Sequence, residues 1–367
     1  MIKTSFPHLG NLHIPMKSFL WELGLEPLAP PPISAKTINL GTKYAPEFLC
    51  FPFKVNLGNF MEAVGAGAEC LLMVGGSGPC RLGYYAQVQR EALKEAGFQA
   101  EFMVLEAPQT GYRDFWERLK RLVPRRQLPV LWKAWRIFWL KATMLDRFDR
   151  EANRVRPVEK QRGTVDRLQQ QFYRAIDEAG LENRISGITT DFLARLQQLV
   201  NPESSVVASI GILGEFYMVL EHRVNFYIEK TLGEMGVAVK RTLYLTDWIR
   251  DHLLLSIIRP NWHRQVQKLA WPYLKNGVGG HGLETVAGTV EAGMNRLDGI
   301  VHLAPFTCMP EIVAMQVLPA VAKDFGLPVL SIIIDEHSAE AGIRTRLEAF
   351  VDLLAYQRQK KQANPVW

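Results

Sequence analysis

Residues 70–97 read CLLMVGGSGPCRLGYYAQVQREALKEAG, and this stretch decides the fold. Its first five residues, Cys70–Val74, form an apolar run with the length of a buried strand, whereas residues 81–96 have helical periodicity that ends at Gly97. The glycines and the proline between them predict a turn. A strand that leads through a short turn into a helix predicts a parallel sheet with helices on its faces.

The same alternation continues on both sides of this stretch. In the first part we predict strands at 2–6, 70–74 and 102–105 and helices at 16–23, 53–64 and 81–96. After residue 205 we predict strands at 205–212, 237–239, 299–303 and 329–334 and helices at 223–235, 283–296, 310–323 and 343–356. The sequence therefore predicts two α/β domains, at 1–112 and 201–367.

The segment between them, residues 113–200, has a different texture and predicts a basic helical insertion. Residues 113–174 hold 17 Lys and Arg against 7 Asp and Glu, although the whole chain of 367 residues carries a net charge of only +6. Within this segment five residues follow the spacing of one apolar helix face, which we expect to pack on the rest of the protein; they are Leu131, Trp132, Trp135, Phe138 and Trp139.

Composition and the N-terminal sequence restrict the class of protein. The chain is 48% hydrophobic and contains no apolar stretch long enough to span a bilayer, and its first residues lack the apolar run of a signal peptide. We therefore expect a cytoplasmic protein. In that compartment its four cysteines are expected to be reduced thiols, metal ligands or catalytic groups and not a disulfide framework.

Three of these cysteines, Cys50, Cys80 and Cys308, each lie where a loop is predicted to turn into a helix, with a proline close by. A thiolate at a helix start faces free backbone N–H groups and the positive end of the helix dipole, which favour negative charge. Cys70 instead lies within a predicted buried strand, where a thiol is usually a small hydrophobe. This pattern suggests three metal ligands and one core thiol.

The predicted sheets place two of the three thiols at the ligand-binding edge. Cys80 and Cys308 each follow a strand, and ligands of open parallel sheets gather beyond the carboxyl ends of strands. A centre shared by all three cysteines would lie in the cleft between the two domains. Three thiolates would leave one iron of a four-iron cluster open to water or substrate. The wide spacing supports free structural thiols equally well.

Several other residues are candidates for the same region. Gly76 and Gly78 would let the backbone approach a cluster or a phosphate, and Arg81 would tune the charge there. His281 and His302 are candidate proton donors, or alternatively histidines that are hydrogen-bonded in the interior. Glu311 is a candidate for catalysis or charge tuning. A capping or surface role is the alternative for both Arg81 and Glu311. The glycines at 277–282 either cradle an anion or form a flexible turn. Since the chain has no P-loop, we expect no ATPase activity.

At these residues the chain resembles the 2-hydroxyacyl-CoA dehydratase and benzoyl-CoA reductase superfamily, in its activase-associated branch. The motifs that carry the resemblance are CFPFK at 50–54, GSGPCR at 76–81 with Tyr85, GILGEFY at 211–217, GGHG at 279–282, PFTCMPE at 305–311, and DE at 335–336 leading to TRLEAF at 345–350. They cover both predicted α/β domains. The insertion carries no part of the resemblance.

The resemblance implies Rossmann-like domains and a four-iron, four-sulfur ([4Fe–4S]) or related iron–sulfur cluster held by Cys50, Cys80 and Cys308. It also implies an anaerobic, cytoplasmic setting and an ATP-dependent iron–sulfur activase as electron donor. A homo- or hetero-oligomer with a related subunit is expected on the same ground. The chain is shorter than a full dehydratase subunit, and we identify no segment that clearly builds an acyl-CoA pocket.

Our leading hypothesis is an iron–sulfur protein that accepts or relays low-potential electrons from the activase and can reduce a small molecule at an open iron. The alternatives are a 2-hydroxyacyl-CoA dehydratase component, a lyase acting on an acyl-CoA substrate, and a non-enzymatic cluster carrier or scaffold. The basic segment also permits nucleic-acid binding, but an acidic protein partner or CoA phosphates explain its charge as well, so a nucleic acid is the disfavoured partner.

Overall fold

The computed structural model describes residues 1–75, 80–105, 125, 127–180, 182–251 and 261–363. Contacts divide the chain into two units: Met1–Met144 with Ile176–Ile185, and Leu145–Ala175 with Ser186–Trp367. Each unit contains a four-stranded sheet in which every paired strand is parallel to its neighbour. The predicted α/β class with two parallel sheets is therefore confirmed.

The first sheet has the strand order β2-β1-β3-β4. Its strands are β1 (Lys3–Ser5), β2 (Glu26–Pro27), β3 (Cys70–Val74) and β4 (Glu101–Leu105). The described helices among them are α1 (His13–Glu22), α2 (Ala35–Tyr44), α3 (Phe51–Gly65) and α4 (Tyr85–Glu95). A 3₁₀ turn at Arg81–Tyr84 precedes α4.

The second sheet has the strand order β6-β5-β7-β8. Its strands are β5 (Ala208–Gly214), β6 (Val237–Arg241), β7 (Gly299–Pro305) and β8 (Val329–Ile334). The described helices that accompany it are α8 (Phe216–Leu220), α9 (Ile228–Glu234), α10 (Leu245–Ile249), α11 (Asn261–Ala270), α12 (Gly282–Met294), α13 (Met309–Phe325) and α14 (Glu340–Ala363).

The two sheets share one topology. In each, the first strand in the chain pairs with the second strand on one side and the third on the other, so the connections leave it in opposite directions. In open parallel sheets, ligands bind in the crevice outside the carboxyl ends of the two adjacent strands whose connections run in opposite directions. These positions are β1 and β3 in the first unit and β5 and β7 in the second.

Between the two sheets the chain forms α5 (Leu128–Val155), a 3₁₀ turn (Arg156–Val158), α6 (Thr164–Glu178) and α7 (Glu182–Gln197). Contacts assign these helices partly to the first unit and partly to the second. Residues 106–124 lie outside the described part of the chain, so the start of the predicted insertion at 113 lies there too. The three-part division at 1–112, 113–200 and 201–367 stays a prediction.

The buried face of α5 differs from the predicted one. Phe138 is buried and Leu131, Trp135 and Trp139 are half-buried, as expected, but Trp132 is 62% exposed, and the most buried side chains include Ala134, Ile137 and Lys141. A small alanine and a charged lysine contribute little to a hydrophobic pattern, which explains the shifted prediction. The Lys141 ammonium group donates to the backbone carbonyl of Asp177 over 3.0 Å, which compensates its burial.

Helix α3 forms the centre of the first unit because it is buried on nearly every side. Its side chains Phe53, Val55 and Phe60 are fully buried, and α2 covers it so closely that the two backbones touch. A Cβ atom on Gly58 would lie 1.9 Å from the carbonyl oxygen of Thr37, and one on Gly41 would lie 1.7 Å from that of Lys54. Only glycine permits this approach.

No helix in the described part of the chain combines the length and the apolar composition that a bilayer span needs.

The close contact between α2 and α3 predicts the effect of a methyl group at Gly58. Gly58→Ala should destabilise the first unit by about 1–3 kcal/mol, since its methyl group would push α2 away from α3. Gly65→Ala is the matched control, because a Cβ atom there meets nothing within 4 Å at the end of the same helix. Urea unfolding of both variants measures the effect. Equal unfolding midpoints for Gly58→Ala and Gly65→Ala would contradict the close packing described here.

Candidate functional site

All three predicted ligand cysteines occupy the N-cap position of a helix. Cys50 precedes α3, Cys80 precedes the 3₁₀ turn at Arg81–Tyr84, and Cys308 precedes α13. Each has extended backbone angles, and none uses its side chain to cap its own helix. The prediction that these cysteines lie at loop-to-helix junctions is confirmed. Each thiol thus lies at the N-terminal, positive end of a helix or turn, where Pro52 and Pro310 contribute no N–H group at the second position of α3 and α13.

Parallel-sheet topology explains why each of these helix starts lies at the carboxyl edge of its own sheet. Helix α3 leads into β3 and α13 into β8, so each helix returns across its sheet and begins at the carboxyl edge. Cys80 and Cys308 follow the carboxyl ends of β3 and β7 directly in the chain. The three thiols therefore lie at the carboxyl edges of the two sheets, two in the first unit and one in the second.

In the first unit, two contacts hold the loops of Cys50 and Cys80 together. The Arg81 guanidinium donates to the carbonyl oxygen of Phe48 and stands over the Phe48 ring, with 6.0 Å to its centroid. The Tyr85 hydroxyl lies 2.7 Å from the Cys50 sulfur in a buried hydrogen bond. Arg81 thus orders the chain beside a candidate ligand, while its predicted effect on cluster charge stays a prediction.

The predicted glycines Gly76 and Gly78 lie outside the described residues, as do Ser77 and Pro79.

Cys70 has the properties expected of a core thiol. It lies in β3, is 1% exposed, and pairs in register with Thr4 on β1 and Glu101 on β4. Burial raises the pKa of its thiol to about 11, with the nearby Glu101 carboxylate adding to the shift. A thiol that stays protonated at neutral pH is a poor nucleophile and a poor metal ligand.

In the second unit, the backbone before Cys308 is strained. Thr307 has φ of +62°, in the left-handed region that a β-branched residue rarely adopts. This conformation costs on the order of 1–3 kcal/mol and persists only where the surroundings impose it. Here the turn joins β7 to α13 and places Cys308 at the N-cap of α13. Cys308 is 8% exposed.

Glu311 and His302 form a buried pair beneath that helix start. One carboxylate oxygen of Glu311 lies 2.9 Å from His302 Nε2 and accepts from the Thr285 hydroxyl at 3.0 Å, and His302 Nδ1 lies 3.0 Å from the Ser331 hydroxyl. Both His302 and Glu311 are fully buried. The interior alternative for His302 is therefore correct, and a surface role for Glu311 is wrong. A catalytic role of Glu311 stays a prediction.

Two further carboxyl groups near this pair were missed by sequence reasoning. Glu215 caps α8 directly after β5, accepting from the Met218 N–H at 3.0 Å, and Glu284 lies in the first turn of α12. Burial, with the Glu311 charge adding to it, raises the pKa of each carboxyl to about 7. The sequence contained one signal for Glu215, namely its position shortly after a predicted strand, where polar ligand-binding groups gather.

His281 lies at the N-cap of α12 between aromatic rings. Its Nε2 accepts from the Trp248 indole N–H at 3.1 Å, and its ring stacks on Phe216 with 5.7 Å between centroids. The preceding Gly279 and Gly280 both have positive φ, which accounts for glycine in this turn. His281 is thus a fixed, partly exposed imidazole near Glu284, and its role in catalysis stays a prediction.

Much of the charge in the basic segment is paired within the protein. Lys133 pairs with Glu22, Arg136 with Glu182, Arg150 with Asp247, Arg154 with Glu151, and Arg156 with Asp166. Arg156 is also buried and bonded to Asn153 and Gln169. In the described part of the chain, five of the 17 basic side chains of residues 113–174 thus have carboxylate partners, and the choice between a nucleic acid and an acidic partner stays a prediction.

Within the described residues, no three His, Cys, Asp or Glu side chains gather as ligands for a metal ion. The chemistry of the three thiols fits an iron–sulfur cluster, since each is a cysteine at the N-cap of a helix or turn and thiolates are the usual ligands of such clusters. The shared centre itself stays a prediction.

No protein-family model matches the chain, and no curated protein matches it either. The resemblance to the dehydratase and reductase superfamily therefore rests on the quoted motifs alone.

The raised pKa of Glu215 predicts a pH effect on stability. Because the folded state holds this proton up to about pH 7 and the unfolded chain releases it near pH 4.5, stability should fall as pH rises between these values. Glu215→Gln removes the titration and should reduce that fall by about 1–3 kcal/mol. Unfolding free energies on both sides of this window measure it.

Glu203→Gln, at an exposed position in the same unit, controls for the loss of a carboxylate. If the two variants keep the same pH dependence as the unsubstituted protein, Glu215 does not hold a proton in the folded state.

Proposed function

We propose that this chain is an iron–sulfur protein that accepts or relays low-potential electrons. The observation that carries the proposal is the placement of Cys50 and Cys308 at α-helix N-caps and of Cys80 at the start of a 3₁₀ turn, at the carboxyl edges of two sheets with one topology. A fourth cysteine with the same chemistry but a different position, Cys70, is buried in a strand. The chain therefore separates three thiols at helix starts from one core thiol whose pKa is raised by burial to about 11.

The three helix starts suit an anionic ligand sphere. A thiolate in a nearly buried position needs compensation, and the first-turn N–H groups of α3, of the turn at Arg81–Tyr84 and of α13 supply part of it. When bound, a four-iron cluster would supply one-electron redox chemistry and one iron without a protein thiolate. The three cysteines would hold the cluster through their sulfur atoms. The side chains packed around Cys50 and Cys308 exclude water there, and the backbone of each helix start supplies N–H groups.

The proposal extends to the domains and the partner. We propose Rossmann-like domains with a helical insertion between them, in a cytoplasmic, anaerobic setting, with electrons from a separate ATP-hydrolysing iron–sulfur activase. A separate donor is needed because the chain carries no P-loop of its own. The described part of the basic segment has exposed Arg side chains, such as Arg147 and Arg162, to which an acidic partner can dock.

Anaerobic reconstitution with iron and sulfide tests the proposal. We expect about four irons per chain, the stoichiometry of a four-iron cluster, with a visible absorption band that bleaches on strong reduction. Cys50→Ala, Cys80→Ala and Cys308→Ala should each lose most of the iron and the band, since each removes one of three anchoring thiolates.

Cys70→Ala is the matched control and should keep the full iron content with a small loss of stability. Equal iron loss from all four variants would contradict the sorting of the thiols. An unsubstituted protein that stays folded and colourless after reconstitution would overturn the proposed function.

One observation favours a second candidate, a 2-hydroxyacyl-CoA dehydratase component. Glu215 and Glu284 have pKa values near 7 at the carboxyl edge of the second sheet, where an enzyme that moves protons needs such groups. Dehydration requires removal of a proton and of a hydroxyl group, and buried carboxyl groups that hold and release protons near neutral pH suit that chemistry.

An assay with the activase, ATP and a panel of acyl-CoA esters separates the two functions. Turnover that falls at least tenfold in Glu215→Gln but not in Glu203→Gln supports the dehydratase component. A bleached spectrum without product supports the relay and excludes turnover of the esters tested.

A further inference from the structure

The hydrogen bond between Tyr85 and Cys50 joins a candidate cluster ligand to a phenol. The Tyr85 oxygen lies 2.7 Å from the Cys50 sulfur, and the two side chains are only 4% and 8% exposed. Both belong to the first unit. A buried hydrogen bond to sulfur in a water-poor environment has a larger electrostatic effect than the same bond in water.

The surroundings fix the Tyr85 hydroxyl in this position. Tyr85 is the first residue of α4, and its ring meets the edge of Phe53 with 5.1 Å between centroids at 87°. Phe53 in turn lies in the first turn of α3, the helix that Cys50 caps. The phenol and the thiol are therefore held by the same packed pair of helix starts, so the bond does not depend on a mobile side chain.

The direction of the bond depends on the state of Cys50. A neutral thiol can donate to the phenol oxygen, whereas a thiolate has no proton and must accept from the Tyr85 hydroxyl. A donor to a cluster-ligating sulfur withdraws negative charge from it and so favours the more negative, reduced state. The hydroxyl thus acts on the redox group through Cys50 and without touching it.

We propose that Tyr85 is a positioning residue that raises the reduction potential of the iron–sulfur group through a hydrogen bond to the Cys50 sulfur. This inference rests on the proposed function. It adds a residue for which the ligand pattern alone gives no role, and it assigns that residue a measurable electronic effect.

The test compares Tyr85→Phe with Tyr84→Phe after anaerobic reconstitution. Tyr85→Phe keeps the ring that packs on Phe53 and removes only the hydroxyl, whereas the neighbouring Tyr84 is 69% exposed and serves as control. Optical redox titration should give a more negative midpoint potential for Tyr85→Phe than for the unsubstituted protein, and an unchanged one for Tyr84→Phe.

A second variant keeps the test decisive if Tyr85→Phe assembles poorly. Difluorotyrosine incorporated at position 85 has nearly the same shape and is a stronger donor, so it should shift the midpoint potential in the opposite direction. Resonance Raman bands of the iron–sulfur stretches should also shift in deuterated water in the unsubstituted protein, and this shift should shrink in Tyr85→Phe.

The outcomes are distinguishable. Clusters with the same potential in the unsubstituted protein and in the variants at position 85 overturn the role of Tyr85 and leave the proposed function intact. An unsubstituted protein that assembles no cluster overturns both. Opposite shifts for phenylalanine and difluorotyrosine at position 85, with none for Tyr84→Phe, support the inference.

Discussion

The direction in which a helix must run between two parallel strands is the constraint on which this structure depends. A helix that connects parallel strands returns across the sheet, so its first residue lies at the carboxyl edge. The N-cap positions of α3 and α13, and the turn after β3, are therefore brought to one kind of edge by topology alone. Cysteines at these positions reach the ligand-binding edge although they are far apart in the sequence.

The parts of the fold that could be predicted from the sequence are those with a local physical cause. Strands β3 and β8 have the predicted bounds, because each is an apolar run, which in β8 is interrupted only by Ser331. The helix ends near Gly24, Gly97 and Gly236 also agree, since all three glycines adopt the positive φ that follows a helix.

The elements that escaped prediction lack such local causes. Strand β2 has two residues, and α8 and α10 have five each, which is too short for a periodic pattern. Helix α2 was missed because its outer face is polar and its contact surface depends on Gly41, a poor helix former that is needed for the approach of α3. Only the tertiary contact explains that glycine.

The candidate site also has a part that the sequence predicts and a part that it does not predict. Its residue types and its N-cap placement follow from local sequence, whereas the partners of each group depend on contacts between distant segments. Tyr85 reaches Cys50 across 35 positions, and Glu311 reaches Thr285 across 26. Sequence spacing also could not show that Glu311, at the third position of α13, turns into the protein interior instead of capping the helix start.

The same contacts bear on how the protein tolerates the site when no metal is bound. Cys50 and Cys308 are nearly buried, and a helix start contributes only about half a unit of positive charge, so a thiolate at either position would be only partly compensated by its own helix. A neutral Cys50 thiol can donate to the Tyr85 hydroxyl. In the proposed metal-bound state the same bond would run from the Tyr85 hydroxyl to the Cys50 thiolate. A phenol suits this position because it can both accept and donate, which phenylalanine cannot.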